Sequence, residues 1–237
     1  MQISYSHKFI FIHVSKSAGT SIQEALRPLA HNPESMRVNR RPARLGLRLR
    51  AMVPPQWRVF REHDTARVVQ RNLPHETFDR FFKFAFVRNP WDWIVSLYWY
   101  LLETPSHRHH YEVAAMHSFE KYVEFETCRG RRSQHRFVAN RRGELIVDFL
   151  GRFEHLEQDF QEVCDHLHVR ASLPHINRTV HPDYREIHTE RTIQMVASHF
   201  QSDIELFGYS FDQGPREPLR REALGYTFVR PVLHAEF

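Results

Sequence analysis

The chain has 237 residues, about one and a half times a typical domain, so we expect one large domain with room for a full core. With 41% hydrophobic and 26% charged residues, the composition excludes whole-chain disorder and fibrous proteins. No run approaches the roughly 18 apolar residues of a membrane-spanning helix, and the first residues lack the layout of a signal peptide. We therefore expect a cytoplasmic protein without a transmembrane segment.

The basic charge is carried almost entirely by arginine. The formal net charge of +5 arises from 29 Arg and 4 Lys against 28 acidic residues. Because the Arg fork suits bidentate contact with phosphate or sulfate, this usage favours an anionic partner. A genome that encodes Arg in preference to Lys explains the same count equally well.

The number and spacing of cysteine and histidine residues match neither a metal site nor a disulfide framework. The two cysteines, Cys128 and Cys164, cannot form a disulfide framework and have no partner at metal-ligand spacing. The 18 His are scattered singly apart from the group at 107, 109 and 110, and no HExxH pattern is present. The sequence therefore predicts no metal site.

Two strand–loop–helix units stand out in chain order. Residues 8–14 form a β-branched and aromatic run, followed by a small-residue loop and by apolar residues at helical spacing over 22–26. Residues 81–87 form a second strand, after which Asn89 supplies an N-cap and a proline opens a helix over 91–102. Two such units predict an α/β fold with a central parallel sheet flanked by helices.

The remaining pattern predicts further elements of the same domain. We expect strands at 57–61 and 144–150, and helices at 119–125, 155–167 and 190–207. Residues 37–50 carry six Arg and no acid, which indicates a basic surface segment or a flexible loop. We expect a single domain over 1–237, with its core at about 8–210 and an irregular C-terminal extension at 211–237.

The first loop has the composition of an anion cradle. It lies where a strand ends and a helix begins, the place where open α/β sheets bind ligands. Lys16 adds a positive charge, Gly19 lets the backbone approach closely, and nearby hydroxyls supply donors from Ser17, Thr20 and Ser21. The loop is not an ATP-type P-loop, because its Lys precedes its Gly by three residues. A Ser-rich turn that merely caps a helix is the alternative.

The second loop begins with Arg88, directly after the strand at 81–87. If the two strands are neighbours, the Arg88 side chain projects into the same crevice as the first loop. Ser96 falls on a different face of the following helix from the buried stripe, so it could hydrogen-bond a ligand. The alternative is that Arg88 pairs with a structural carboxylate and Ser96 is ordinary helix surface.

The two loops together resemble those of the sulfotransferases that use 3′-phosphoadenosine 5′-phosphosulfate (PAPS). Residues 9–21, FIFIHVSKSAGTS, resemble the loop that binds the 5′-phosphosulfate, and residues 84–92, FAFVRNPWD, resemble the element that binds the 3′-phosphate. The match is nearest to the carbohydrate-type family, which includes heparan sulfate 2-O-sulfotransferases and many bacterial members, and it spans residues 8 to about 210. Three positions depart from the family pattern: Ser15 replaces the usual Pro, Ser17 replaces Thr, and Trp93 replaces a frequent Arg.

This resemblance implies a P-loop-like nucleotide-binding architecture, PAPS as the donor and 3′,5′-adenosine bisphosphate as the product. It implies that Lys16 neutralises the bridging oxygen and the 5′-phosphate. The 5′-phosphate itself is expected to lie in a cradle made by Ser17, Ala18, Gly19, Thr20 and Ser21. Arg88 and Ser96 are expected to hold the 3′-phosphate, and Arg178 and Tyr184 lie on a loop expected to close over the nucleotide.

The chemistry also requires a base for the acceptor hydroxyl, and no metal. His63 matches the position of the base in the heparan-modifying members, and an imidazole with its pKa near neutral suits the task. Glu62 is a weaker candidate for the same role. We expect the acceptor to be a sugar or glycoconjugate hydroxyl.

Two other functions remain open from the sequence. A nucleotide-dependent kinase would need a Gly-Lys-Ser/Thr loop, which is absent. A non-catalytic anion or nucleic-acid binder would use the basic segments at 37–50 and 129–142, which include Arg131, Arg132 and Arg136, and would bind with strong salt dependence. We place both below the sulfotransferase and expect no nucleic-acid partner.

Overall fold

Five strands form one sheet in the part of the chain that the structure describes. The structure is a computed structural model, and it describes residues 1–30, 60–130, 133–174, 181–212 and 217–221. The strands are β1 (Gln2–Ser4), β2 (Phe9–Ile12), β3 (Phe82–Val87), β4 (Phe149–Arg152) and β5 (Leu219–Arg220). They lie side by side in that order. The β2–β3 and β3–β4 pairs are parallel, whereas both edge pairs are antiparallel. The predicted α/β fold with a parallel centre is therefore confirmed, with antiparallel edge strands added.

The helices connect and cover these strands. In chain order the described helices are α1 (Gly19–Ala25), α2 (Ala66–Asn72), α3 (His75–Arg80), α4 (Pro90–Glu103), α5 (His110–Ala114), α6 (Phe119–Cys128), α7 (His135–Val138), α8 (Leu156–Leu167), α9 (Tyr184–Ile187), α10 (Glu190–His199) and α11 (Gln201–Phe207). The predicted start of α4 is confirmed, because Asn89 Oδ1 accepts a hydrogen bond from Trp91 N at 3.0 Å and Pro90 is the first helical residue.

The sheet is buried on both faces. Successive side chains of each strand point to opposite faces and so fall into two sets. One face carries phenylalanines that pack with α1 and α8: Phe9, Phe11, Phe84, Phe86 and Phe149. The opposite face carries smaller aliphatic side chains that pack with α4 and its neighbours: Ile10, Ile12, Ala85, Val87 and Leu150. Because both faces are covered, the strands have continuous apolar sequences, as parallel strands usually do.

Two predicted elements are placed differently. The strand expected at 144–150 forms at Phe149–Arg152, because Leu145 instead makes an isolated antiparallel bridge with Ala139 and the ladder with β3 starts only at Phe149. The buried apolar residues at 145–147 thus fill the core without being a strand, an ambiguity that short apolar runs always carry. The helix expected at 190–207 is divided at Phe200 into α10 and α11.

Three other expectations fall partly outside the described residues. In the strand expected at 57–61, residues 60 and 61 are described and belong to no strand, and residues 57–59 lie outside. The basic segment at 37–50 also lies outside. Within the C-terminal extension, Leu219–Arg220 pairs with β4 and so completes the sheet, whereas 222–237 lies outside. Among the described helices, none combines the length and apolar character needed to cross a bilayer.

Candidate functional site

The first loop connects β2 to α1 through an unusual backbone path. Lys16 and Ala18 have φ angles of 61° and 58°, in the left-handed region that non-glycine residues seldom adopt. Ala18 is the N-cap of α1, and no side chain caps this helix. The alternative that the serines serve to cap a helix is therefore wrong. The buried hydroxyl of Ser17 faces Gln134 Oε1 at 3.4 Å, Ser21 is buried, and Thr20 is exposed.

Gly19 is required at the start of α1 by its contact with the preceding strand. A Cβ added to Gly19 would lie 1.9 Å from Cδ2 of His13, whose ring is buried beneath the helix. Glycine at this position thus lets the helix begin directly over the end of β2.

Lys16 carries a charge in a partly buried position. Its Nζ lies 4.1 Å from the centroid of the Tyr100 ring on α4. Burial lowers the pKa of Lys16 to about 8, and the positive charge of Arg88 acts in the same direction, whereas Glu103 opposes the shift. The positive charges of the two loops thus act on the same region, and an anion bound there would offset their repulsion.

Arg88 is fixed at the carboxyl end of β3. It is 6% exposed, its Nε donates to Asp92 Oδ2 at 2.6 Å, and its guanidinium lies 4.0 Å from the centroid of the Phe153 ring. Its Nη2 lies 3.3 Å from Nε2 of His181. The carboxylate pairing named in the alternative is thus present, because Arg88 pairs with Asp92. Asp92 fixes the guanidinium at the same edge of the sheet as the loop that carries Lys16.

Ser96 lies on α4, two turns after Arg88. It is 3% exposed, so the predicted position off the buried stripe and the alternative of ordinary helix surface are both wrong. Its position on the helix that also carries Asp92 and Tyr100 places it on the element shared by both loops.

Gln134 connects the two loops and was missed in the sequence. It is 1% exposed; its Oε1 accepts a hydrogen bond from Arg88 N at 3.0 Å, and its Nε2 donates to Arg88 O at 2.7 Å. The same Oε1 faces Ser17 Oγ of the first loop. Asp203 holds Gln134 in place by accepting from its backbone N–H at 2.7 Å. No local signal in the sequence marks this glutamine, because it lies in an Arg-rich segment that has the composition of a solvated face.

Trp93 makes a second connection between the loops. The indole Nε1 donates to Ser15 O at 2.8 Å. At the position where the resemblance implies an Arg, Trp93 thus supplies a hydrogen bond that fixes the first loop against α4.

His63 lies beside the first loop, on a turn before α2. The ring is exposed, its Nδ1 lies 3.3 Å from the carbonyl oxygen of His13, and the two imidazole centroids are 4.6 Å apart. Because a carbonyl oxygen can only accept, this contact assigns a proton to Nδ1, and in the neutral ring Nε2 then has the lone pair. Burial lowers the pKa of His13 to about 3, so that ring is neutral. Glu62 lies with its carboxylate 3.4 Å from His13 Nδ1.

Tyr184 and Arg178 were expected on a loop that closes over the nucleotide. Tyr184 is buried, its hydroxyl donates to Phe211 O at 2.6 Å, and burial raises its pKa to about 12. The hydroxyl also lies 3.5 Å from Asn89 Nδ2, so the tyrosine braces the start of α4. Arg178 lies outside the described residues, as do Arg131 and Arg132, and Arg136 is exposed on α7.

The fold and the two loops define the class as an α/β protein that presents basic residues at the carboxyl ends of neighbouring parallel strands. A family model described as the sulfotransferase family matches residues 1–210, and the chain belongs to that family. It is thus a transferase that moves a sulfuryl group. An uncharacterised protein of Archaeoglobus fulgidus is 27% identical over 124 residues, which cover 52% of this chain and 98% of that protein. No solved structure matches the chain.

Proposed function

We propose that the protein transfers a sulfuryl group from PAPS to a hydroxyl of a carbohydrate or glycoconjugate, with His63 as the general base. The observation that carries the proposal is that β2 and β3 are parallel neighbours, so that the loops with Lys16 and Arg88 leave the sheet at the same edge. The family supplies the reaction class. The donor, the acceptor and the base are proposed from the geometry and the resemblance.

The residues fit a nucleotide that carries phosphates at both ends. When bound, PAPS supplies an activated sulfuryl group on a phosphate leaving group. Lys16 is buried enough that its charge is disfavoured without an anion, and Arg88 presents a guanidinium held by Asp92. We assign Lys16, with the backbone and hydroxyls of residues 17–21, to the 5′-phosphate, and Arg88 with Ser96 to the 3′-phosphate. This pairing places one cation at each phosphate.

Of the two cations, Lys16 contributes more than Arg88 to the chemical step. In-line transfer develops negative charge on the oxygen that leaves the sulfur, and a cation fixed beside that oxygen stabilises the charge. Tyr100 and the Trp93 bond to Ser15 hold the loop and its lysine in position. A preorganised cation needs no rearrangement during the reaction.

His63 is suited to take the proton from the acceptor hydroxyl. Its Nδ1–H donates to the His13 carbonyl, which orients the ring and leaves the Nε2 lone pair for the proton. The side chain is exposed, so an acceptor can reach it. General base catalysis of this kind contributes about 10²–10⁴-fold in rate.

The first test measures nucleotide binding through the melting temperature of the protein. A ligand at 100 times its dissociation constant adds about 2.7 kcal/mol to the free energy of unfolding. We expect 3′,5′-adenosine bisphosphate to raise the melting temperature where ADP and AMP do not, and Lys16→Ala and Arg88→Ala to abolish the effect. The matched controls are Lys121→Ala and Arg80→Ala, both at exposed positions. An equal shift with ADP, or shifts kept in both site variants, would reject the proposed donor.

The second part tests the base with labelled PAPS and a panel of carbohydrate acceptors. His63→Asn should lower the rate of transfer by about 10²–10⁴-fold while the affinity for the bisphosphate stays unchanged. Undiminished transfer by this variant would assign the proton to another group, with Glu62 the next to be replaced.

A further inference from the structure

Three side chains that lie far apart in the sequence meet beside the first loop. One ligand atom each of His13, Glu62 and His63 lies within 4.8 Å of the others. No local pattern in the sequence predicts this group, because 50 residues separate the two histidines. The fold assembles it by placing the turn before α2 against the end of β2.

The buried member of the group, His13, has a ring nitrogen beside the Glu62 carboxylate. His13 is 3% exposed, and its Nδ1 makes no hydrogen bond within the described structure. The nearest carboxylate oxygen, Glu62 Oε1, lies 3.4 Å away. An unsatisfied buried nitrogen facing a carboxylate is an arrangement that a cation between the two atoms would satisfy.

The 3.4 Å separation of His13 Nδ1 and Glu62 Oε1 matches that of two ligands around a tetrahedral metal, whereas the whole group lies within 4.8 Å. With metal–ligand bonds of about 2.0–2.1 Å, two ligands of tetrahedral zinc lie about 3.4 Å apart. Glu62 and His63 are both exposed, so their side chains can close on a metal without disturbing the core. His13 is fixed beneath α1 and supplies the anchored ligand.

His63 also has the support that metal-binding histidines have. Such residues almost always donate their second ring N–H to a carbonyl or carboxylate, which fixes the tautomer that coordinates. His63 Nδ1 bonds the His13 carbonyl in this way and leaves Nε2 for the metal. Two histidines and one glutamate form a three-ligand zinc set that keeps a fourth position open.

We propose that His13, Glu62 and His63 form a binding site for a divalent transition metal of the zinc type. The site lies beside the first loop and includes His63, the proposed base, but none of the residues assigned to the two phosphates. Metal binding at this site does not depend on the proposed function. The effect of the metal on activity does depend on it, because a metal on His63 would occupy the lone pair that the proposed reaction uses. Zinc is therefore expected to inhibit transfer, and removal of zinc to restore it.

The binding experiment uses the full chain without an affinity tag, stripped with EDTA and exchanged into metal-free buffer. Zinc affinity is measured by competition with a chromogenic chelator. We expect one site in the wild type, and a loss of affinity of at least about tenfold in both Glu62→Gln and His63→Asn, since loss of an outer-shell partner alone costs 10–100-fold. His75→Asn is the matched control, because His75 forms an exposed pair with Asp79 elsewhere on the surface. His13 stays unchanged because it packs against Gly19.

The outcomes separate this proposal from the proposed function. Equal zinc affinity in the wild type, Glu62→Gln and His63→Asn, or a loss confined to His75→Asn, would overturn the site. Retained binding of 3′,5′-adenosine bisphosphate by the variants shows that any loss of zinc is local. Zinc binding without inhibition of transfer would overturn the competition for His63, whereas a protein that binds zinc but transfers no sulfuryl group would contradict the proposed function alone.

Discussion

Lys16 is a charged side chain placed where its surroundings disfavour the charge. Burial and the neighbouring Arg88 lower its pKa to about 8, against an ordinary value of 10.5. An anion bound between the two cations has the opposite effect, because it favours the charged form of the amine. The pKa of Lys16 is therefore higher in the complex than in the protein alone, and binding takes up a proton in the interval between the two values.

This difference predicts how nucleotide affinity depends on pH. Below about pH 7 the amine is charged in both states and contributes no pH dependence. Above about pH 8 the unbound protein loses the proton that the complex keeps, so affinity for 3′,5′-adenosine bisphosphate falls with rising pH, by up to about tenfold per unit. The phosphates ionise near pH 6 and do not contribute there. Calorimetric titration from pH 7 to 10 measures the fall.

Lys16→Arg is the matched variant for this prediction. A guanidinium stays charged throughout the range, so the variant should bind with an affinity that is nearly independent of pH from 7 to 10. The same decline in Lys16→Arg as in the wild type would show that a group other than Lys16 titrates.

At the scale of secondary-structure elements, the site depends on what holds the two loops next to each other. The strands β2 and β3 place the loops side by side, and Gln134 bonds both the N–H and the C=O of Arg88 while facing Ser17. The sequence indicated both loops, since each follows a recognisable buried strand. It could not indicate the glutamine, because the partners of Gln134 are distant in the chain. Arg88 is 46 residues away and Ser17 is 117 residues away.

Replacement of Gln134 by Ala tests this connection. Both backbone groups of Arg88 would lose their partner inside the protein, and a buried group left without a hydrogen bond costs about 1–3 kcal/mol. We expect that loss in the free energy of unfolding, together with about a tenfold weaker affinity for 3′,5′-adenosine bisphosphate, or about 1.4 kcal/mol. Urea unfolding and calorimetry measure the two effects.

The control for this variant is Gln161→Ala on α8, an exposed glutamine bonded to Asp165. It should change neither quantity beyond about 0.5 kcal/mol, the range of ordinary surface substitutions. A Gln134→Ala protein that loses stability but binds the nucleotide normally would limit Gln134 to a structural part.

Across the whole molecule, prediction from the sequence succeeded where the signal was local. The patterns of strands β2 and β3 and of helices α4 and α8 are long and periodic or continuously apolar. Their predicted bounds differ from the observed ones by no more than two residues. Strand β4 was displaced because its position is set by pairing with β3, which no local pattern encodes. The group of His13, Glu62 and His63 was missed for the same reason, since a distant turn brings it together.

The two ends of strand β3 have different roles, one in the site and the other in stability. Arg88 follows the carboxyl end of β3 at the site, whereas Lys83 lies near its amino end, 1% exposed, with its Nζ 2.8 Å from Asp148 Oδ2. The same amine donates to the carbonyls of Phe78 and Phe81 at 3.1 and 2.7 Å. A buried cation with these partners fixes the start of the ladder between β3 and β4.

Replacement of Lys83 by Met should therefore lower stability without altering the site. Removing one member of a buried ion pair leaves an uncompensated charge and typically costs about 3–5 kcal/mol. We expect a loss of that size in urea unfolding, partly recovered in Lys83→Met/Asp148→Asn, while the folded protein binds 3′,5′-adenosine bisphosphate with wild-type affinity. Lys121→Met, at an exposed position of α6, should leave both quantities unchanged. A Lys83→Met protein with wild-type stability, or one that folds but binds the nucleotide more weakly, would show that stability and binding are not separated along β3.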